Sequence, residues 1–150
     1  MKIRIRKAKK EDSKQILDLI VKLAKFEKLT PPDKRSMDRM IIDAFSKSPL
    51  FKILVAETEG VLMGYAFYFF TYSTFLAKKT LYLEDIFITE KYRGTGIGKL
   101  FLDKLVRIAK NNKCGRMEWI VLDWNTKAIN FYKNIGAEEM KEWKFFRLKI

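Results

Sequence analysis

Three short stretches of this chain carry residues that could do chemistry. The first is "YRGTGIGK", residues 92–99, with three glycines in eight residues. Glycine weakens regular elements, so a cluster of them between a strand-like and a helix-like run needs a reason. A Walker loop requires Ser or Thr after Gly-Lys, and Leu100 follows Lys99 here. A dinucleotide fingerprint requires a third glycine where Lys99 stands. What remains is a row of bare N–H groups at a helix N-terminus, where the helix dipole favours an anion. Arg93 and Lys99 add positive charge, and a pyrophosphate-sized group is the natural guest. The alternative is a tight strand-to-helix turn with no ligand.

The second stretch is "YLEDIF", Tyr82 to Phe87. Strict alternation puts Glu84 on one face with Tyr82, Ile86 and Ile88, and Asp85 on the other unless a bulge re-aims one of them. A carboxylate on an apolar face must find a cation, take up a proton, or serve as a base. The third stretch is "WNTKAINFYKNIGA", Trp124 to Ala137, where Ala128, Phe131, Tyr132 and Ile135 form one helical stripe. On periodicity alone Tyr132 is a core residue. Its phenol could also protonate a leaving thiolate.

The elements that must position these residues follow from hydrophobic periodicity. "KIRIRKA" reads as a strand. A helix follows over about residues 11–28, capped by Asp12 or Ser13, with Ile16, Ile20, Leu23 and Glu27 on one side. Pro31–Pro32 end that region. A second helix spans Asp33 to Ser46, with Met37, Ile41, Ala44 and Phe45 on one side. "FKILVAE" and "VLMGYAFYFFTY" form a hairpin about Glu59–Gly60. "TLYLEDIFIT" is the next strand, and the glycine loop leads into a helix striped by Ile97, Phe101, Leu105, Ile108 and Ala109. "RMEWIVLDW" reads as a strand, "NTKAINFYKNIGA" as a helix capped by Asn125, and "KFFRLKI" as a closing strand. The order β α α β β β α β α β is a mixed α/β sheet with helices on its faces.

The chain has 150 residues, enough for one domain. Its net charge is +13, which suits an anionic partner. The basic residues are spread along the chain, without the clustered basic and aromatic pattern of a nucleic-acid surface. There is no histidine, which removes Ser-His and Cys-His catalysis and argues against a zinc site. The single cysteine, Cys114, forms no internal disulfide and suits a reducing compartment. Gly60–Ala77 carries no charge, but its tyrosines, serine and threonines fit strands better than a membrane span. These features point to a cytoplasmic protein.

Taken together, "YLEDIFITEKYRGTGIGKLFLDKL" and "WNTKAINFYKNIGA" resemble the GNAT superfamily of N-acetyltransferases. With "LIVKLAKFE", "YFFTY" and "INFYK" in the same order, the chain is most similar to the spermidine/spermine (diamine) N-acetyltransferase branch. The resemblance implies a single domain, residues 1–150, with a mostly antiparallel mixed sheet, a splayed parallel strand pair and helices on both faces. It implies acetyl-CoA as co-substrate, no metal, and a homodimer. Arg93, Gly94, Thr95, Gly96, Ile97, Gly98 and Lys99 would cradle the pyrophosphate. The backbone of Ile86, Phe87 and Ile88 would pair with the pantetheine arm, with Asn125 nearby. Tyr132 would be the general acid and Glu84 the base. Phe26, Glu27, Glu84, Asp85 and Trp143 would line the amine pocket.

This resemblance implies transfer of acetyl to a primary amine of a polyamine or diamine by direct attack on the thioester. Two departures bear on the amine. Phe26 replaces a tyrosine, and in "FFTYSTF" Ser73 replaces an acid while Phe75 replaces a tryptophan. Losing an acid weakens the case for long polyamines; a shorter cationic amine, such as a diamine or a lysine-like amino acid (thialysine, for example), is an alternative. Further alternatives are acetylation of protein N-termini or lysines, and a CoA-sensing or nucleic-acid-binding module without catalysis.

Overall fold

The computed structural model describes residues 1–150, which divide into two compact units, Met1–Trp119 and Ile120–Ile150. The first unit holds a five-stranded sheet of β1 (Arg4–Lys7), β2 (Lys52–Thr58), β3 (Val61–Ser73), β4 (Lys78–Ile88) and β5 (Arg116–Glu118), in that spatial order. The first four strands are antiparallel neighbours, and β4–β5 is parallel. Helices α1 (Ser13–Phe26), α2 (Lys34–Phe45) and α3 (Ile97–Asn111) complete it. This is the α/β fold expected, a mixed and mostly antiparallel sheet flanked by helices.

Alternation along β2 and β3 divides the core between two faces. Ile53, Val55, Tyr65, Phe67 and Phe87 share one face with Ile16, Leu19 and Ile20 of α1, and Met40 and Ala44 of α2 pack at its margin. The intervening residues Leu54, Tyr68 and Leu81 are buried on the other face. There α3, which packs on β1, β2, β4 and β5, supplies Phe101 and Leu105. Each such side chain contributes ~1.5–3 kcal/mol by leaving water.

Asp12, expected as a helix cap, does other work. Its carboxylate accepts from the Arg6 guanidinium at 2.7 and 2.9 Å and from the Lys9 N–H at 2.7 Å. Arg6 also pairs with Glu57, so one cation ties β1 to β2 and to the start of α1. Hydrogen bonds from Arg6 hold the Asp12 carboxyl below its ordinary range.

Two strand expectations fail. The strand read from "RMEWIVLDW" stops at Glu118, because its parallel pairing with β4 ends at Tyr82↔Glu118. The segment "KFFRLKI" alternates in pattern but forms no strand: it has no ladder partner, and Phe146 and Leu148 are each 86% exposed. Alternation predicts a strand only where a neighbouring edge exists to supply hydrogen bonds. The second unit contains one helix, α4 (Thr126–Asn134).

Candidate active site

The register of β3 and β4 shapes the site. Phe67 pairs with Asp85 and Tyr68 with Leu83, so Glu84 is left without a partner and β4 carries a bulge there. Directly paired residues share a face. Asp85 and Phe87 therefore lie on the face of Phe67 and Tyr65, and Ile86 lies on the opposite face with Ala66. The bulge brings Asp85 to the same side as Glu84, instead of opposing them as strict alternation would.

Both carboxylates line one open pocket of about 420 Å³. Its remaining walls are apolar: Met40 of α2, Leu50 and Phe51 before β2, and Phe67 and Phe69 of β3. Phe51 stacks on Phe67 with ring centroids 4.9 Å apart. Glu84 is exposed and Asp85 half-buried. Burial, followed by the nearby negative charges of Glu84 and Glu27, pushes the Asp85 carboxyl up to about 6. Burial also raises Glu27, which closes the C-terminal end of α1. None of the three carboxylates takes part in the ion pairs formed by the chain's lysines and arginines.

The glycine loop lies between Ile88 and α3. Gly94 and Gly96 have φ of +77° and +87°, and a Cβ on either would project into open space. Gly96 is the residue before α3, whose first turn receives no capping hydrogen bond from a side chain. The N–H groups there can meet an oxyanion, which is the fit a CoA pyrophosphate requires. Thr95 Oγ1 donates to the Tyr92 carbonyl at 2.6 Å and holds the loop closed. Lys99 pairs with Asp103 at 2.7 Å. Arg93 turns back from the loop: its Nε donates to the Ile88 carbonyl at 3.0 Å, and its guanidinium lies 4.6 Å from the Phe26 ring and 5.6 Å from Phe87. Beyond Tyr82 one edge of β4, the stretch containing Ile86, Phe87 and Ile88, has no strand beside it. That edge is where an extended amide chain can add main-chain hydrogen bonds.

In the second unit, Asn125 caps α4 through its side-chain oxygen, which accepts from the Ala128 N–H at 3.3 Å. Tyr132 lies on that helix with its ring 5.5 Å from Phe131, and burial pushes its hydroxyl up to about 12. Trp143 is 74% exposed. Ser73 is buried at the end of β3, where its Oγ accepts from the Leu76 N–H at 3.2 Å, so it serves the turn into β4. Phe75 is exposed. No group of three acidic, cysteine or histidine side chains is placed to hold a metal ion, and no helix is long and apolar enough to cross a membrane.

Sequence reasoning missed Met40, Leu50, Phe51, Phe67 and Phe69. Nothing in an unbroken aromatic strand marks which rings line a pocket, and the bulge at Glu84 has no signature in residue type.

Residues 16–137 match the acetyltransferase (GNAT) family. The mouse (Mus musculus) thialysine N-epsilon-acetyltransferase is 40% identical, over 97% of this chain and 92% of that protein. The human (Homo sapiens) spermidine/spermine N(1)-acetyltransferase-like protein 1 is 35% identical, over 95% of this chain but 22% of its own length. The expected place in the spermidine/spermine branch is thereby corrected. The similarity runs to thialysine acetyltransferases, whereas the lost acid at Ser73 weakens only the case for long polyamines. A Clostridium acetobutylicum predicted acetyltransferase, solved with acetyl-CoA, superposes with a TM-score of 0.79 at 20% identity, over 97% of this chain and 96% of that one. The family sets the reaction class: an acetyl-CoA-dependent N-acetyltransferase acting on a small amine. By this family match and these relatives, the chain belongs to the GNAT family of acetyltransferases.

Proposed function

We propose that this enzyme acetylates the side-chain amine of a lysine-like amino acid, with thialysine as the reference substrate. One observation carries the reading. Glu84 and Asp85 line an apolar pocket and the charge of Glu27 bears on Asp85, with no ion pair to the protein's own cations, in a chain of net charge +13. Like charges held together destabilise a site until a cation joins them. The aromatic walls suit an alkyl or thioether chain, and a primary ammonium at its end meets the carboxylates. The α-carboxylate of an amino acid is repelled by the same acids and stays at the mouth, so the side-chain amine is the end that enters.

An alkylammonium must lose a proton before it attacks the acetyl thioester. Glu84, exposed at the bulge, is proposed to pass that proton to solvent, and Asp85 and Glu27 to hold the ammonium. Tyr132, kept protonated by burial, is proposed as the donor to the departing CoA thiolate. The glycine loop is proposed to hold the pyrophosphate, with main-chain rather than side-chain groups at its centre. Phe26 contributes through the ring that Arg93 covers. The reading includes a cytoplasmic homodimer without nucleic acid as partner, carried over from the resemblance and the single cysteine.

The test is release of CoA thiol from acetyl-CoA with thialysine, lysine, spermidine, putrescine and a basic peptide. The highest kcat/KM is expected on thialysine. A preference for spermidine or for the peptide overturns the proposed substrate.

A further inference from the structure

Tyr65 carries a buried side-chain polar atom that no protein group hydrogen-bonds. Its ring is 0% exposed, edge-on to Phe67 at 5.2 Å between centroids and 6.3 Å from Phe87. Packing accounts for the ring but not for the oxygen. Phenylalanine would fill the same space, and an unsatisfied buried hydroxyl costs ~1–3 kcal/mol.

The register places Tyr65 beside Asp85 on one face of the sheet. Tyr65 pairs with Phe87, and the next inward pair on that face is Phe67 with Asp85, so Tyr65 and Asp85 are diagonal neighbours. Burial, followed by the negative charges of Asp85 and Glu27, drives the Tyr65 hydroxyl far above its ordinary range. Tyr65 is therefore a neutral donor at every working pH. Its hydroxyl lies within electrostatic reach of both carboxylates, and an ordered water takes about three polar partners.

We propose that Tyr65 is a positioning residue for the amine site: its hydroxyl donates, through one bridging water, to the Asp85 carboxylate. The bond keeps Asp85 ionised, and so able to receive the ammonium, under a burden of burial and like charge. The other groups facing Asp85 are Glu84 on its own strand and Glu27 from α1. From α2 and the loop before β2, Met40, Leu50 and Phe51 line the same pocket as Asp85. The Arg93 guanidinium lies over the Phe26 and Phe87 rings, and no cation is among the groups that shift Asp85.

This inference rests on the reading of the pocket as the amine site, and the test separates the two. In Tyr65→Phe, three quantities are measured: the titration of the Asp85 carboxyl carbon by NMR in the free protein, the pH profile of kcat/KM for thialysine, and the acetyl-CoA Kd. Losing a hydrogen bond to the charged form raises a carboxyl, so Asp85 is expected to titrate about one pH unit higher. The acidic limb of kcat/KM should move with it, lowering activity on that limb roughly tenfold. The acetyl-CoA Kd and Tm should hold, or Tm should rise. An unmoved Asp85 titration overturns the inference and leaves Tyr65 as core filling. The titration needs no turnover. A wild-type protein inactive on every amine would therefore fail the proposed function without deciding the role of Tyr65.

Discussion

Phe67 on β3 faces Asp85 on β4 directly, one residue past a bulge that leaves Glu84 unpaired. That pairing turns a buried aromatic strand into the floor of a charged pocket. Without the bulge Asp85 would face α3, and the pocket would hold one carboxylate. The extra residue changes which face the acid occupies, a usual effect of bulges beside functional sites.

The arrangement costs stability, and this gives the first prediction. The Asp85 carboxyl is raised to about 6 by burial and by Glu84 and Glu27. An acid raised on folding binds more protons in the native state than in the unfolded chain, so stability falls as pH rises from about 4 through 6. Asp85→Asn should remove that dependence and raise stability at pH 7 by ~2 kcal/mol, while lowering kcat/KM for the amine at least tenfold. Denaturant unfolding at pH 4.5 and 7 on both proteins checks it. Equal stability of the two at pH 7 would deny that Asp85 is a strained acid.

How much of this was legible beforehand depends on the kind of signal. The hairpin at Glu59–Gly60, the α1 and α3 stripes and the glycine loop each repeat a local pattern over several residues, and each appears where periodicity put it. Glu27 was marked by its place on the α1 stripe and Asp85 by its neighbour Glu84. The side on which Asp85 lies was not legible, because a bulge is decided by the pairing of two strands and not by the residues of one. The last expected strand failed for the same reason: Phe145 to Ile150 alternates, but a ladder needs a second edge.

The glycine loop yields the second prediction. Gly96 has φ of +87° immediately before α3. An alanine there pays ~1–2 kcal/mol for the left-handed conformation, and its methyl projects into the space beside the first-turn N–H groups. Gly96→Ala should weaken acetyl-CoA binding at least tenfold by calorimetry, with a Tm lowered by a few degrees. Unchanged affinity would remove the loop from the pyrophosphate site.

Tyr132 provides the third. Burial holds its hydroxyl at about 12, so it is a donor throughout the working range. As an acid to the thiolate it should contribute ~100-fold to turnover. Tyr132→Phe should lower kcat by that factor and leave the acetyl-CoA Kd within about twofold, read by single-turnover kinetics and calorimetry. Wild-type turnover in the variant would exclude it as the acid.

The last prediction returns to the two strands that make the pocket. Gly64 pairs with Ile88, and a Cβ on Gly64 would run into the Phe87 carbonyl, with Ile88 atoms also close at 3.2 and 3.3 Å. The obstructing atoms are mostly backbone, so β4 itself must move to admit a methyl. The same stretch is held by the Thr89 N–H donating to the Met63 carbonyl at 2.9 Å, which resists that movement. Gly64→Ala should therefore destabilise the protein by ~2–3 kcal/mol, as overpacking does in a rigid core. It should also raise the KM for the amine, since Phe87 and Asp85 are carried by the displaced strand, while kcat falls less. Denaturant unfolding and steady-state kinetics on the folded fraction check both. If stability and KM stay at wild-type values, β4 yields freely there, and the close approach of the two strands is not what holds Asp85 in place.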